Sequence, residues 1–220
     1  MVADGMGGHL GGEFASRIAV KTVGETLQQL LADPEATLAQ DLGFDRGDPG
    51  EMVKYAIRLA SQKIFEEASR NPGLRGMGTT SVALFIRNEK GYIAHVGDSR
   101  AYLVQRNKIQ QLTTDHSLVA EQLKAGFITP EEMKHHKYRN IITRSVGFQS
   151  DVDIDLLVRD LEEGDRFILC SDGLTNMVED TDILKIISKN DPKTSCQKLI
   201  EMANKKGGDD NVTVIVVSIE

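Results

Sequence analysis

Cysteine is scarce in this sequence, with two in 220 residues, so no disulfide framework can be built from it. Long apolar runs are missing as well. Nothing approaches the ~18 residues that a membrane-spanning helix needs, and a membrane is not an expected partner. The opening, Met1-Val2-Ala3-Asp4-Gly5, lacks the basic start and apolar stretch of a secretory signal, so a reducing cytoplasm is the expected location. Lysine and arginine form no block of the kind that tracks a phosphate backbone, and the net charge is -7, which argues against nucleic acid as a partner. Repeats, low-complexity tracts and Pro/Ser-rich linkers are also absent. There is no Walker loop, and Gly5-Met6-Gly7-Gly8 is not a dinucleotide fingerprint because Leu10 stands where the third glycine would be. A cysteine-phosphatase loop needs Cys-x5-Arg, but the chain has Asn176 and Met202 at the arginine positions, which leaves Cys170 and Cys196 as packing residues.

What is present suits one globular domain over residues 1–220, with 40% hydrophobic and 27% charged residues. Phe14, Ile18, Val23, Leu27, Leu30 and Leu31 recur at helical spacing, as do Val53, Ile57, Ala60, Ile64 and Ala68. Between them, residues 33–50 carry Pro34, Gly43, Gly47, Pro49 and Gly50 and read as a loop. Short β-rich runs follow at 80–86, 92–96, 101–104 and 109–112, separated by turn formers, and read as one antiparallel meander. Residues 117–125 and 130–135 are predicted as short polar helices, Pro130 after Thr129 marking a helix start, and this segment reads as a flap. Strands are predicted at 153–158, 166–170 and 212–219, and helices at 181–188 and 192–205. The last strand is apolar nearly throughout, as a central strand covered on both faces would be. Helices at either end with strands clustered between them predict an α+β fold with antiparallel sheets.

Acidic residues repeat one local design. Asp4-Gly5 follows Met1-Val2-Ala3, Asp98 follows a run ending in Gly97, Asp172-Gly173 follows Phe167-Ile168-Leu169-Cys170-Ser171, and Asp210-Asn211 precedes the last strand. A single Asp-Gly is usually a plain turn, but several carboxylates at the edges of buried elements can be aimed by a rigid scaffold. Carboxylates that converge repel one another unless they are protonated or bound to cations, and hard oxygen ligands select Mg²⁺ or Mn²⁺. Two such ions about 4 Å apart lower the pKa of a bridging water, orient it for in-line attack and neutralise a transferring phosphoryl group.

These residues lie in blocks that resemble the protein phosphatase 2C family, the metal-dependent serine/threonine phosphatases, in its bacterial form. The blocks run in the family's order: Val2-Ala3-Asp4-Gly5-Met6-Gly7-Gly8-His9, Gly78-Thr79-Thr80, Gly97-Asp98-Ser99-Arg100-Ala101-Tyr102, Leu112-Thr113-Thr114-Asp115-His116-Ser117, Thr143-Arg144-Ser145-Val146-Gly147, Leu169-Cys170-Ser171-Asp172-Gly173-Leu174 and Gly207-Gly208-Asp209-Asp210-Asn211-Val212-Thr213. The resemblance implies hydrolysis of phosphoserine and phosphothreonine in proteins at a binuclear Mn²⁺ or Mg²⁺ centre. It implies that Asp4 bridges the ions, that the Gly5 carbonyl binds one, and that Asp172 and Asp210 complete the other. Asp98 and Asp172 match the residues that hold a third, weaker ion in some members. The implied fold is a four-layer α-β-β-α sandwich of two antiparallel sheets flanked by helices, with residues 115–136 as the flap. Phosphorylated proteins and an opposing Ser/Thr kinase are the implied partners, and the expected state is a monomer.

The family normally begins some tens of residues earlier, with strands that supply a phosphate-binding arginine and an acidic pair. The chain therefore reads as N-terminally truncated, and weak hydrolysis of p-nitrophenyl phosphate is the expectation. A non-catalytic module that binds phosphoproteins is the alternative. His9 is a candidate proton donor to the leaving alkoxide, against the reading of a surface histidine near a helix start. Arg100 reads as structural and Arg144 stays open between phosphate and a carboxylate. His95 reads as a core histidine, and His116, His135 and His136 as solvent-exposed flap residues. Asp151, Asp153 and Asp155 read as a solvated strand edge, since Leu156 stands where a calcium loop needs glycine.

Overall fold

The computed structural model describes residues 1–32, 45 and 47–220, and of His9 only the backbone. In chain order the elements are β1 (Gly5–Met6), α1 (His9–Ala32), α2 (Pro49–Arg70), β2 (Gly78–Thr79), β3 (Ser81–Arg87), β4 (Lys90–Val96), β5 (Arg100–Gln105), β6 (Lys108–Gln111), α3 (Leu118–Lys124), α4 (Pro130–Lys134), β7 (Asp155–Asp160), β8 (Arg166–Cys170), α5 (Asp172–Thr175), α6 (Asp180–Lys189), α7 (Pro192–Lys205) and β9 (Val214–Ser218), with a 3₁₀ turn at Pro72–Leu74. The expected α+β class with antiparallel sheets is what the chain adopts. The loop expected at 33–50 lies mostly outside the described residues. Its end is revised, because Asp48 accepts from the Gly50 N–H and starts α2 with Pro49 in the first turn, where a missing N–H costs nothing.

The chain forms two units. One comprises Ala3–His95 and Ser145–Asp160. In it α1 and α2 pack on each other, and a three-stranded sheet runs in the order β3-β4-β7. The face that α1 buries is Ala15, Ala19, Thr22, Val23, Thr26 and Leu30, while Phe14 and Leu31 are 44% and 40% exposed. Val23 and Leu30 of the expected stripe are thus buried, while alanine and threonine fill most of the remaining packed positions. On α2 the expected stripe holds for Val53, Ile57, Ala60 and Ile64, which are fully buried, while Ala68 is part-exposed. Trimming Ile64 to alanine there would cost about 2–5 kcal/mol.

The other unit comprises Met1–Val2, Val96–Arg144 and Leu161–Glu220. Its four-stranded sheet runs β6-β5-β8-β9, and one face is covered by α6 and α7 through Ile183, Ile187, Leu199 and Ala203 over Tyr102, Val104 and Ile168. Two expectations are corrected here. The β-rich runs do not form one meander: β3 and β4 belong to one sheet, β5 and β6 to another. Both β4 and β5 are apolar on both faces, so they give no alternation from which partners could be read. The last strand is also not central among the described residues, for β9 ends the strand order and each of its residues is part-exposed. The flap helices form as expected. Ser117 caps α3, and Thr129 and Glu132 make a reciprocal capping box on α4.

Candidate metal centre

Antiparallel pairing decides where three of the expected carboxylates go. Arg100 opposes Cys170 and Cys170 opposes Val214, so the start of β5, the end of β8 and the start of β9 share one end of the four-stranded sheet. Asp98, Asp172 and Asp210 stand just beyond that end. A buried serine ties two of the crossings together. The Ser171 N–H donates to the Thr213 carbonyl (3.1 Å), its Oγ donates to the Asn211 carbonyl (3.0 Å), and the Thr213 N–H donates back to that Oγ (3.0 Å). A side chain at Gly173 would put Cβ 2.4 Å from the Asn211 carbonyl oxygen, which is why glycine follows Asp172. Each carboxylate is then oriented locally: Asn176 Nδ2 donates to Asp172 Oδ2 at 3.1 Å, and the Asn211 N–H donates to Asp210 Oδ1 at 2.8 Å.

Charge is concentrated at this edge. Burial, then the Asp172 and Asp115 carboxylates, push the Asp98 carboxyl up to about 7. Arg100 offsets this only in part, because its guanidinium is turned to Asp115 in a bidentate pair, Nη2 to Oδ2 at 2.6 Å and Nε to Oδ1 at 2.9 Å. Burial alone would lower the Arg100 pKa, but the Asp115 hydrogen bonds and charge outweigh it and keep the guanidinium ionised. The structural role expected of Arg100 is thus what the side chain shows. A set of crowded carboxylate oxygens whose nearest cation is already committed suits a hard divalent ion, the donor chemistry the sequence implied.

Asp4 and Gly5 lie in the other unit, where their backbone is held by the Gly78-Thr79-Thr80 block. Thr80 Oγ1 accepts from the Asp4 N–H (2.9 Å), while the Asp4 carbonyl accepts from the Thr80 N–H (2.8 Å) and from Thr79 Oγ1 (2.8 Å). Gly5 pairs with Thr79, and both threonines are buried. Gly5 and Gly12 make a mutual close approach: a Cβ at residue 12 would sit 2.6 Å from the Gly5 carbonyl oxygen, and one at residue 5 would sit 2.0 Å from the Gly12 oxygen. The carbonyl singled out by the sequence is therefore one that any side chain at position 12 would block.

The side chain of His9 lies outside the described residues. His95 is buried, as expected of a core histidine, but His116 is only 7% exposed and corrects the reading of a solvent-facing flap residue. Cys170 is fully buried, and burial pushes its thiol up to about 12, in keeping with a packing residue. Asp151, Asp153 and Asp155 are exposed between buried Val152 and Ile154, the alternation of a solvated edge. Sequence reasoning passed over Gly12, Thr79, Thr80, Asp115 and Ser171 as working parts. All but Gly12 stand inside the blocks quoted above, so block membership was the signal, and Gly12 carried none. No helix among the described residues is long and apolar enough to cross a membrane.

Residues 1–212 match the family described as Protein phosphatase 2C. A serine/threonine phosphatase, stp, of Listeria welshimeri is 38% identical over 218 residues, 99% of this chain and 82% of that protein. The protein phosphatase PhpP of Streptococcus pneumoniae is 38% identical over 220 residues, all of this chain and 85% of that protein. Among solved structures, the Mycobacterium tuberculosis serine/threonine phosphatase PstP/Ppp superposes with a TM-score of 0.85 at 35% identity, covering 99% of this chain and 86% of that one. The PstP catalytic domain in complex with two manganese ions superposes at 0.84 with 33% identity, covering the same shares of the two chains. A match across nearly the whole length, together with acidic residues held on strand ends and turns as above, makes the conclusion plain: the chain belongs to the protein phosphatase 2C family.

Proposed function

We propose that this protein hydrolyses phosphoserine and phosphothreonine in other proteins, with Asp4, Gly5, Asp172 and Asp210 as the ligands of two Mn²⁺ or Mg²⁺ ions and Asp98 with Asp172 as ligands of a weaker third. When bound, such ions acidify a water for attack on phosphorus and offset charge on the phosphoryl oxygens. The chain's own residues do the rest. Ser171, Gly173 and Asn211 fix Asp172 and Asp210 on crossings that barely yield, so the carboxylates are aimed before any ion arrives. Thr79 and Thr80 hold the Asp4-Gly5 peptide by main-chain and hydroxyl hydrogen bonds, and Gly12 keeps the Gly5 carbonyl unobstructed. His9, at the first position of α1, is assigned the proton for the departing serine or threonine oxygen.

The single observation that carries the ligand assignment is the gathering of Asp98, Asp172 and Asp210, from three separate places in the chain, at one end of one sheet. Support for Asp4 and Gly5 comes from their motif and from the two manganese ions in a 33% identical relative. A cytoplasmic site of action, a monomeric state and an opposing Ser/Thr kinase complete the reading. The test is Asp172→Ala, assayed by phosphate release from a phosphothreonine peptide with and without Mn²⁺. The metal-dependent rate should fall to background, since this residue serves two of the proposed ions. A variant that keeps Mn²⁺-stimulated release would remove Asp172 from the site.

A further inference from the structure

Three peptide links converge on His116. Its backbone N–H donates to the Gly97 carbonyl at 2.9 Å, and its ring Nδ1 accepts from the Gly97 N–H at 3.1 Å. Gly97 is thus gripped on both of its polar groups by one residue, immediately before Asp98. The His116 carbonyl accepts from the Thr143 N–H at 2.9 Å and Ser117 bridges Ile142, so the start of the flap is tied here to the chain that follows it. Gly97 has φ 102°, a left-handed conformation that the chain enters at some cost unless it is held. The other side of Asp98 is held by the same segment. Asp115 pairs with Arg100, Gln111 Nε2 donates to Asp115 Oδ1 (3.2 Å) and to the Thr113 carbonyl (2.8 Å), and Thr113 Oγ1 accepts from the Ala101 N–H (3.1 Å). Asp98 therefore stands between Gly97 and Arg100-Ala101, both anchored from residues 111–116, while β8 also holds Arg100 through Cys170.

We propose that His116 is a positioning residue for Asp98, its ring Nδ1 fixing the Gly97 peptide so that the Asp98 carboxylate faces its ion, and that it joins this loop to the base of the flap. The inference rests on the assignment of Asp98 as a ligand of the weaker ion. An acceptor at the δ position is the essential feature. Asparagine offers one, since Oδ1 branches from the same Cγ as the imidazole Nδ1. Leucine offers none, and glutamine moves its oxygen one atom further out.

The experiment is Mn²⁺ titration of the whole chain by calorimetry, for wild type, Asp98→Asn, His116→Leu, His116→Gln and His116→Asn, with each variant's melting curve recorded. Asp98→Asn should lose the weakest binding step and keep the tighter ones. His116→Leu and His116→Gln should weaken that same step tenfold or more and leave the others within about threefold, whereas His116→Asn should stay close to wild type. In the Asp98→Asn background, His116→Gln should add nothing further. If His116→Leu does not fold, the Gln and Asn pair decides the matter alone. Equal binding by His116→Gln and wild type, or equal weakening by His116→Gln and His116→Asn, would overturn the positioning role. Should Asp98→Asn retain every binding step, the assignment of Asp98 itself fails and takes the role of His116 with it, an outcome distinct from the loss of His116 alone.

Discussion

Replacing Asp98 by asparagine should stabilise the metal-free protein while impairing the loaded one. Without ions, burial and the Asp172 and Asp115 charges raise the Asp98 carboxyl to about 7. In the unfolded chain it returns to the ordinary carboxylate range near 4. Between those values the folded state binds more protons than the unfolded state, so stability falls as pH rises through this window and the full penalty is present above about pH 7. At about 1.4 kcal/mol per tenfold change in proton affinity, the penalty is about 4 kcal/mol at most. Water reaching the part-exposed site reduces that to roughly 2–4 kcal/mol, on the order of 5–10 °C in melting temperature for a chain of this size. The assay is thermal unfolding in EDTA, wild type against Asp98→Asn, at pH 8, 6.5 and 5. The variant should melt higher at pH 8, and the gap should narrow steadily toward pH 5. Adding Mn²⁺ should raise wild type more than the variant, because only wild type has the Asp98 carboxylate for the weaker ion. A variant that melts at or below wild type in EDTA at pH 8, or a gap that ignores pH, would refute the reasoning.

Other perturbations act on the unit that holds Asp4 and on the core. Gly12→Ala should drive a methyl group onto the Gly5 carbonyl and weaken Mn²⁺ binding tenfold or more, which calorimetry can read directly, while Gly24→Ala in an open part of the same helix should leave binding unchanged. Cys170 should resist a thiol reagent such as Ellman's at pH 8 in the native protein and react promptly in guanidinium, because burial keeps it a thiol; native reaction at the denatured rate would contradict its place in the core.

Much of the fold was legible because local signals and packing agree. The strand at Arg166–Cys170 and the helix at Pro192–Lys205 begin and end where their periodicity does, and Thr129-Pro130 announces the start of the helix at Pro130–Lys134. Sheet membership was not legible. Lys90–Val96 and Arg100–Gln105 look like neighbours joined by a turn, yet Gly97-Asp98-Ser99 carries the chain from one sheet to another, a fact that no residue on either strand encodes locally. The same holds for the end of the chain, where a strand as apolar as a central one terminates the described sheet. Candidate ligands could be named because each sits where a buried run breaks at a turn. Their support could not, since Ser171, Thr79 and His116 act through the main chain of partners tens of residues away, and a serine, threonine or histidine in a sequence looks the same whether it holds such a partner or faces water.

The most direct measurement is an anomalous scattering map from crystals of this protein grown with Mn²⁺. Two strong peaks are expected, one about 2.1 Å from carboxylate oxygens of Asp4, Asp172 and Asp210, and the other as close to Asp4 and the Gly5 carbonyl. Absence of these two peaks, or strong peaks that contact neither Asp172 nor Asp210, would contradict the assignment.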